Sequence, residues 1–153
     1  MIALRATRLV AACLIAAVAL TACATAPQLP VPQGFAGYPD GDTWRAISPD
    51  GVRIQARAFR NRPQRDAQFW QQVLQRRLEE AGYLAFDVRE LSGAASSGQV
   101  FEWRAPLGSE SWSYLTAIVV TDRRILIGEA AGPVELIERH RQAILTTFAA
   151  LGD

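Results

Sequence analysis

Few side chains in this sequence are suited to covalent chemistry. Its 153 residues include a single histidine, His140, and two cysteines, Cys13 and Cys23. A histidine acting as general base needs a nucleophile within reach. Serines occur between residues 109 and 113, but the Gly-x-Ser-x-Gly turn that presents a nucleophilic serine is absent. We therefore expect His140 to be a hydrogen-bonded histidine on a helix, with a hydrolase that uses it as the less favoured alternative.

Metal, glycosidase and phosphate-loop chemistry are also poorly supported. Zinc and copper sites need several converging His, Cys, Asp or Glu ligands. Glycosidases need two carboxylates across a cleft, and nothing in the spacing of Glu102 and Glu110 selects them for that role. The glycine-containing segment from Ser92 to Gly98 lacks the lysine of a phosphate-binding loop. We expect no catalytic residue, no metal and no cofactor.

Four charged residues alternate with apolar ones on two predicted strands. They are Arg53, Arg57, Glu102 and Arg104. If the two strands are neighbours, these side chains form a charged strip with arginine in excess. Arginine forks suit carboxylates and phosphates, so the strip is a possible binding face. The alternatives are a solvated sheet face with cross-strand ion pairs or a face covered by a helix.

The other reactive group is the thiol of Cys23, which follows a short apolar run. Arg5 and Arg8 precede an uncharged stretch from Leu9 to Leu20, as in a targeting segment. This stretch is shorter than the roughly 20 residues that a membrane span needs. The tetrapeptide Leu20-Thr21-Ala22-Cys23 resembles the lipobox of bacterial lipoprotein precursors.

The lipobox resemblance implies a defined maturation. Residues 1–22 would be removed as a lipoprotein signal peptide, and Cys23 would carry a diacylglycerol on sulfur and an acyl chain, such as palmitate, on its amino group. Two or three acyl chains hold a protein at a membrane almost permanently. Ala24 stands where an aspartate often retains such lipoproteins in the inner membrane. We therefore expect an anchor in the outer membrane, facing the periplasm, in preference to the inner membrane.

Composition limits the remaining possibilities. Cleavage leaves 131 residues, enough for one domain with a real core. Loss of the two signal-peptide arginines takes the net charge from +1 to about −1, which argues against a nucleic-acid partner. With Cys13 removed and Cys23 acylated, no free thiol remains.

Local patterns divide the rest into a tether and one domain. Residues 23–42 are rich in proline and glycine and predict an extended tether. The domain covers residues 43–153. Period-two patterns and turn residues predict six strands in it: Trp44–Ser48, Val52–Phe59, Tyr83–Leu91, Phe101–Ala105, Tyr114–Thr121 and Ile125–Ala130.

Two helices complete the pattern. Asp66 is the predicted N-cap of the first helix and Gly82 its left-handed terminator. The second begins at Gly132-Pro133 and carries an apolar stripe to Leu151. The order is ββαββββα. Short connections favour antiparallel pairing, so we expect an α+β fold, a single antiparallel sheet of about six strands with two packed helices.

This order of elements resembles the Mog1/PsbP-like α/β sandwich between about Trp44 and Leu151. That resemblance implies binding and assembly roles and transfers no catalytic residue. We therefore expect a non-catalytic accessory domain anchored to the membrane, with an envelope protein as partner. The alternative is a carrier that holds a small amphipathic ligand between helix and sheet near Trp70, Trp103 and Trp112.

Overall fold

A computed structural model describes residues 25–38, 40–91, 98–107 and 110–152. Within these ranges seven strands form one sheet, in the order β1-β2-β3-β7-β6-β5-β4. The elements are β1 (Ala36–Gly37), β2 (Trp44–Ile47), β3 (Arg53–Arg60), α1 (Ala67–Glu80), β4 (Leu84–Glu90), β5 (Gly98–Leu107), β6 (Glu110–Val120), β7 (Arg124–Pro133) and α2 (Val134–Ala149), followed by a 3-10 turn at Ala150–Gly152. Each pair of neighbouring strands is antiparallel.

The predicted α+β class, with one antiparallel sheet and two helices, is confirmed. The predicted strand count was too low, because the segment predicted as tether contributes β1, which pairs with β2 through Ala36 and Gly37. Leu29 is also buried in the core, and Phe35 packs against the same cluster. The packed chain therefore begins well before residue 43. The predicted signal peptide and Cys23 lie outside the described residues, as do residues 92–97 of the predicted loop from Ser92 to Gly98. Gly98 itself begins β5.

The two helices cover opposite faces of the sheet. The larger apolar cluster lies on the α2 face, where Ile54 and Leu115 of the sheet meet Ile144 and Phe148 of the helix. A smaller cluster lies on the α1 face, around Trp103. The layer order is therefore α1, sheet, α2. No helix in the described ranges has the length and apolarity required to cross a bilayer.

Helix α1 has the predicted ends but lies shallowly on the sheet. The carboxylate of Asp66 accepts the N–H of Phe69 at 2.9 Å as N-cap, and Gly82 has the positive φ of 88° expected of the terminator. None of the fourteen described residues of α1 is buried. The indole N–H of Trp70 donates to the side-chain oxygen of Asn61 at 2.7 Å, which ties the helix to the preceding loop.

Strand β4 departs from the predicted packing. Alternation along this strand predicts that its apolar residues Leu84, Phe86 and Val88 face inward, yet they are 64%, 63% and 48% exposed. β4 is the last strand of the sheet, and its register with β5 shifts between Ala85 and Asp87. The helices lie over more central strands, so alternation in β4 does not separate a buried side from a solvated one.

Candidate functional site: an arginine-rich pocket on the α1 face

The four residues predicted to share one charged strip do not meet. β3 carries Arg53 and Arg57, β5 carries Glu102 and Arg104, and β7 and β6 lie between these strands. The faces also differ. On β3 the neighbours Ile54, Ala56 and Ala58 belong to the α2-face cluster, so the two arginines point to the α1 face. The predicted strip is wrong, because strand order depends on long-range pairing that local alternation does not encode.

Glu102 and Arg104 lie beneath α2 instead. Glu102 is only 3% exposed. Its carboxylate pairs with Arg104, accepts the Ser113 hydroxyl at 3.1 Å and lies 3.0 Å from the guanidinium of Arg141 on α2. Hydrogen bonds to Glu138 and then Glu102 raise the pKa of Arg141, outweighing the opposing effect of burial. This network joins the sheet to α2 and has a structural role.

His140 is part of a second cluster, at the start of β3. Its Nε2 atom lies 3.0 Å from both carboxylate oxygens of Asp50. The Ser48 hydroxyl donates to the same carboxylate, and the ring of Phe35 contacts the imidazole edge-on. Hydrogen bonds from Ser48, then His140, and finally Arg139 lower the pKa of Asp50 to about 2. The carboxylate stands between serine and histidine, whereas nucleophilic catalysis needs the histidine in the middle.

Arg53 of β3 and Arg45 of β2 line a pocket on the part of the α1 face nearest β2. Register places Arg45 of β2 opposite Gln55 of β3, and Gln55 opposite Glu129 of β7. Arg53 and Arg57 flank Gln55 two residues away on either side, on the same face. The cavity has a volume of 310 Å³. It is lined by Tyr38, Arg45, Arg53, Ile54, Gln55, Tyr114, Glu129, Ala130 and Ala131.

Glu129 organises the polar side of this pocket. One carboxylate oxygen accepts from Gln55 at 2.6 Å and from Arg57 at 3.0 Å, and the other accepts the hydroxyl of Tyr114. Burial, and next the negative charge of Glu129, raise the pKa of Tyr114. The tyrosine therefore stays protonated and keeps donating. The acceptor capacity of Glu129 is largely used within the protein.

An apolar groove lies beside the pocket on the same face, between α1 and the sheet. It has a volume of 270 Å³. Its lining includes Trp70 and Leu74 of α1, Ile118 of β6, and Ile125 and Ile127 of β7. Of the three tryptophans expected to surround a ligand, only Trp70 reaches this groove.

The other two tryptophans do not line the groove. Trp103 is fully buried and donates its indole N–H to Thr116 at 3.0 Å. Trp112 lies near the start of β6, where it pairs with Ala105 and Pro133.

Sequence reasoning missed most of the pocket. Tyr114 and Glu129 lie far from Arg53 in the chain, and the β3–β7 and β6–β7 pairings bring them together. Arg45 joins them through the β2–β3 pairing. The alternation in β3 was the available signal, and it correctly grouped Arg53 with Arg57. Within the described residues, no group of three or more His, Cys, Asp or Glu side chains is placed to hold a metal ion.

Fold and site define a class of protein: a single α+β domain with one antiparallel sheet between two helices and an arginine-rich surface pocket. No protein-family model matches the chain, and no curated protein matches its sequence. Among solved structures, it is similar to LpqN, described as involved in cell envelope biogenesis of Mycobacterium tuberculosis. The TM-score is 0.59 at 13% identity, over 80% of this chain and 79% of LpqN. This likeness concerns the fold, and the finer Mog1/PsbP resemblance stays a prediction.

Proposed function

We propose that this chain is a lipid-anchored accessory protein of the bacterial cell envelope, whose domain binds a partner and catalyses no reaction. The observation that carries the binding role is the pocket around Glu129. Arg45 and Arg53, from two neighbouring strands, line it, and Arg57 pairs with Glu129 on the same face. Preformed concave sites with a few convergent polar groups are the usual form of a ligand site.

The envelope location rests on the lipobox at residues 20–23, with Cys23 as the anchored residue. The similarity to LpqN supports it, since that protein is described as acting in cell envelope biogenesis. Leu29 is packed into the domain core and lies six residues after Cys23. At no more than about 3.6 Å per residue, the chain would hold the packed domain within about 20 Å of its anchor. The partner we propose is therefore an envelope protein at the membrane surface.

The absence of catalysis in this proposal rests on the His140 cluster. The Ser48 hydroxyl and Nε2 of His140 both contact Oδ1 of Asp50, and within the described residues no serine hydroxyl is hydrogen-bonded to the imidazole. Ser113 is buried beneath α2 and bonded to Glu102. Ser109 lies outside the described residues. A hydrolase that uses His140 remains the less favoured alternative. It would be favoured if the His140→Ala variant folded but no longer performed the cellular function of the wild type.

Anchoring is tested by metabolic labelling. Cells expressing the full-length chain are grown with radiolabelled palmitate, beside a Cys23→Ser variant. We expect label in the wild type and none in the variant, together with a mass consistent with removal of residues 1–22. Density separation of the two membranes then assigns the chain to the outer or the inner one. An unlabelled wild-type chain with an intact N-terminus would refute the anchor.

Binding at the pocket is tested by photo-crosslinking in intact cells. A photo-reactive residue replaces Tyr38, which lines the pocket and is 39% exposed. The control replaces Gln72, an exposed residue of α1. We expect a discrete adduct from position 38 that is absent from position 72. No adduct at either position, or the same adducts at both, would contradict a binding role for the pocket.

The groove beside α1 favours a second candidate, a carrier of a small amphipathic ligand. Apart from Arg60 and Arg77, its described lining is apolar, and α1 covers it without burying any of its own described residues. Native mass spectrometry of protein purified from the envelope should then show a bound small molecule, and Val73→Asp in the groove should release it. An unliganded mass in the wild type would exclude this carrier.

A further inference from the structure

We infer that the pocket binds an oxyanion, a phosphate or carboxylate group, with Arg53 as its principal contact and Arg45 as its second. The inference rests on the proposed binding role of the pocket and names the chemistry of the ligand. It follows from the balance of charge, the placement of the guanidinium groups and the state of the one carboxylate in the site.

The charges of the pocket leave one arginine uncompensated. Arg45 pairs with Asp40, and Arg57 pairs with Glu129 at 3.0 Å. Arg53 lines the same cavity, and none of the described residues forms a hydrogen bond, ion pair or ring contact with its side chain. Asp40 and Arg57 stand outside the described cavity lining, but each pairs with a lining residue. The unpaired Arg53 therefore gives the site a net positive charge that a ligand oxyanion would neutralise.

Register brings the arginines close enough to share one anion. Arg45 is directly opposite Gln55, so Arg53 and Arg57 are its two diagonal neighbours, at a separation of roughly 7–8 Å. Arg53 is directly opposite Ala131 of β7, and both residues line the cavity. The short side chain of Ala131 leaves the exposed Arg53 accessible from the pocket.

The side chains of Arg45 and Arg57 are already held against the sheet. The Nε–H groups of Arg45 and Arg57 are buried, and no described residue accepts a hydrogen bond from either. Buried donors without acceptors are uncommon and are found where a protein holds groups for a function. Arginine side chains fixed against a sheet lose little conformational freedom when a ligand binds. Their planar guanidinium groups are suited to bind carboxylate or phosphate oxygens through two parallel hydrogen bonds.

A cationic ligand fits this site poorly. Among the described lining residues, Glu129 provides the only carboxylate, and it already accepts from Gln55, Arg57 and Tyr114. A ligand ammonium would have to displace one of these donors and approach Arg45 and Arg53. The chemistry of the described lining therefore selects an anion.

The test uses the full-length chain in a neutral detergent, with inorganic phosphate and acetate as probes. Amide chemical shifts of the backbone are followed by NMR during titration of each probe. We expect saturable shifts at Arg53, Gln55 and Ala131, with an affinity that falls as sodium chloride rises. Arg53→Gln should lower the affinity at least ten-fold. The matched control Arg123→Gln, in the distant β6–β7 turn, should leave it unchanged.

Two outcomes would overturn the inference: no saturable shift with either probe, or equal losses in the Arg53 and Arg123 variants, which would indicate unspecific attraction to positive charge. Bicelles distinguish the source of the oxyanion. Shifts at Gln55 and Ala131 in bicelles that contain phosphatidylglycerol but not in pure phosphatidylcholine bicelles, lost in Arg53→Gln, would identify a lipid headgroup. Probe binding without these bicelle-dependent shifts would identify a free ligand. Oxyanion binding by a chain that takes no palmitate would refute the anchor and leave this inference standing.

Discussion

The carboxylate of Glu102 should contribute substantially to the stability of the domain, although alternation along β5 predicts an exposed side chain there. Glu102→Gln keeps the shape of the side chain and removes its charge. The wild-type carboxylate is 97% buried and is shared by Arg104, Arg141 and Ser113. Breaking a buried ion pair from one side costs about 3–5 kcal/mol. Both arginines retain about a fifth of their exposure, so we expect a loss of about 3 kcal/mol.

Urea unfolding at pH 7, followed by tryptophan fluorescence and far-UV circular dichroism, measures the loss of free energy. Thermal unfolding, followed by circular dichroism, measures Tm. A loss of this size should lower Tm by roughly 12 °C, at about 4 °C per kcal/mol for a domain near this length. The control is Glu138→Gln, which removes the exposed i,i+3 partner of Arg141 and should cost less than about 0.5 kcal/mol.

A double-mutant cycle isolates the contact between sheet and helix. Glu102→Gln and Arg141→Gln should be non-additive by more than about 0.5 kcal/mol, as expected for residues in one network. The reasoning fails if Glu102→Gln costs no more than Glu138→Gln, or if the two losses in the cycle simply add. Either result would mean that the carboxylate is solvated despite its position beneath α2.

Three further predictions concern other parts of the domain. Because hydrogen bonds lower the pKa of Asp50 to about 2 in the folded state, its stabilising contribution is complete above about pH 4 and is lost as the pH falls towards 2. In the Asp50→Asn variant, Tm should therefore drop less between pH 5 and pH 2.5 than in the wild type. An equal drop would contradict this. Gly128→Ala places a Cβ atom 2.7 Å from the buried ring of Phe148, so urea unfolding should show a loss of about 1–3 kcal/mol from overpacking. Gly132→Ala, where the nearest atom is 3.4 Å away, should cause a much smaller loss. Equal losses in the two variants would argue against the clash. Leu84→Ser on the exposed edge strand should change the free energy of unfolding by less than about 0.5 kcal/mol, and a larger loss would show that β4 is covered in solution.

Local pattern was sufficient for the elements that form through near neighbours. The turn at Pro49-Asp50-Gly51 predicted the β2–β3 hairpin, which the pairing of Ala46 with Ile54 confirms. Asp66 and Gly82 marked the two ends of α1. These features depend on hydrogen bonds and φ preferences within a few residues, so the sequence contains what is needed to predict them.

Alternation identified the two faces of a strand but could not say what covers each face. On β5, Phe101 and Trp103 were predicted inward and Glu102 and Arg104 outward. The structure buries Phe101, Trp103 and Glu102 alike, because α1 packs on one face of the sheet and α2 on the other. A helix-covered face can hold a charge when ion-pair partners come with the helix, as Arg141 does.

The sequence alone determined the α+β class and the position of both helices, and it predicts an anchor at Cys23. It did so because signal segments, caps and turns act through adjacent residues. Only the tertiary structure decided that β3 pairs with β7, placing Arg53 beside Glu129 and far from Glu102. Which strands pair depends on the free energy of the whole packed sheet. The local alternation of apolar and polar residues does not encode this pairing.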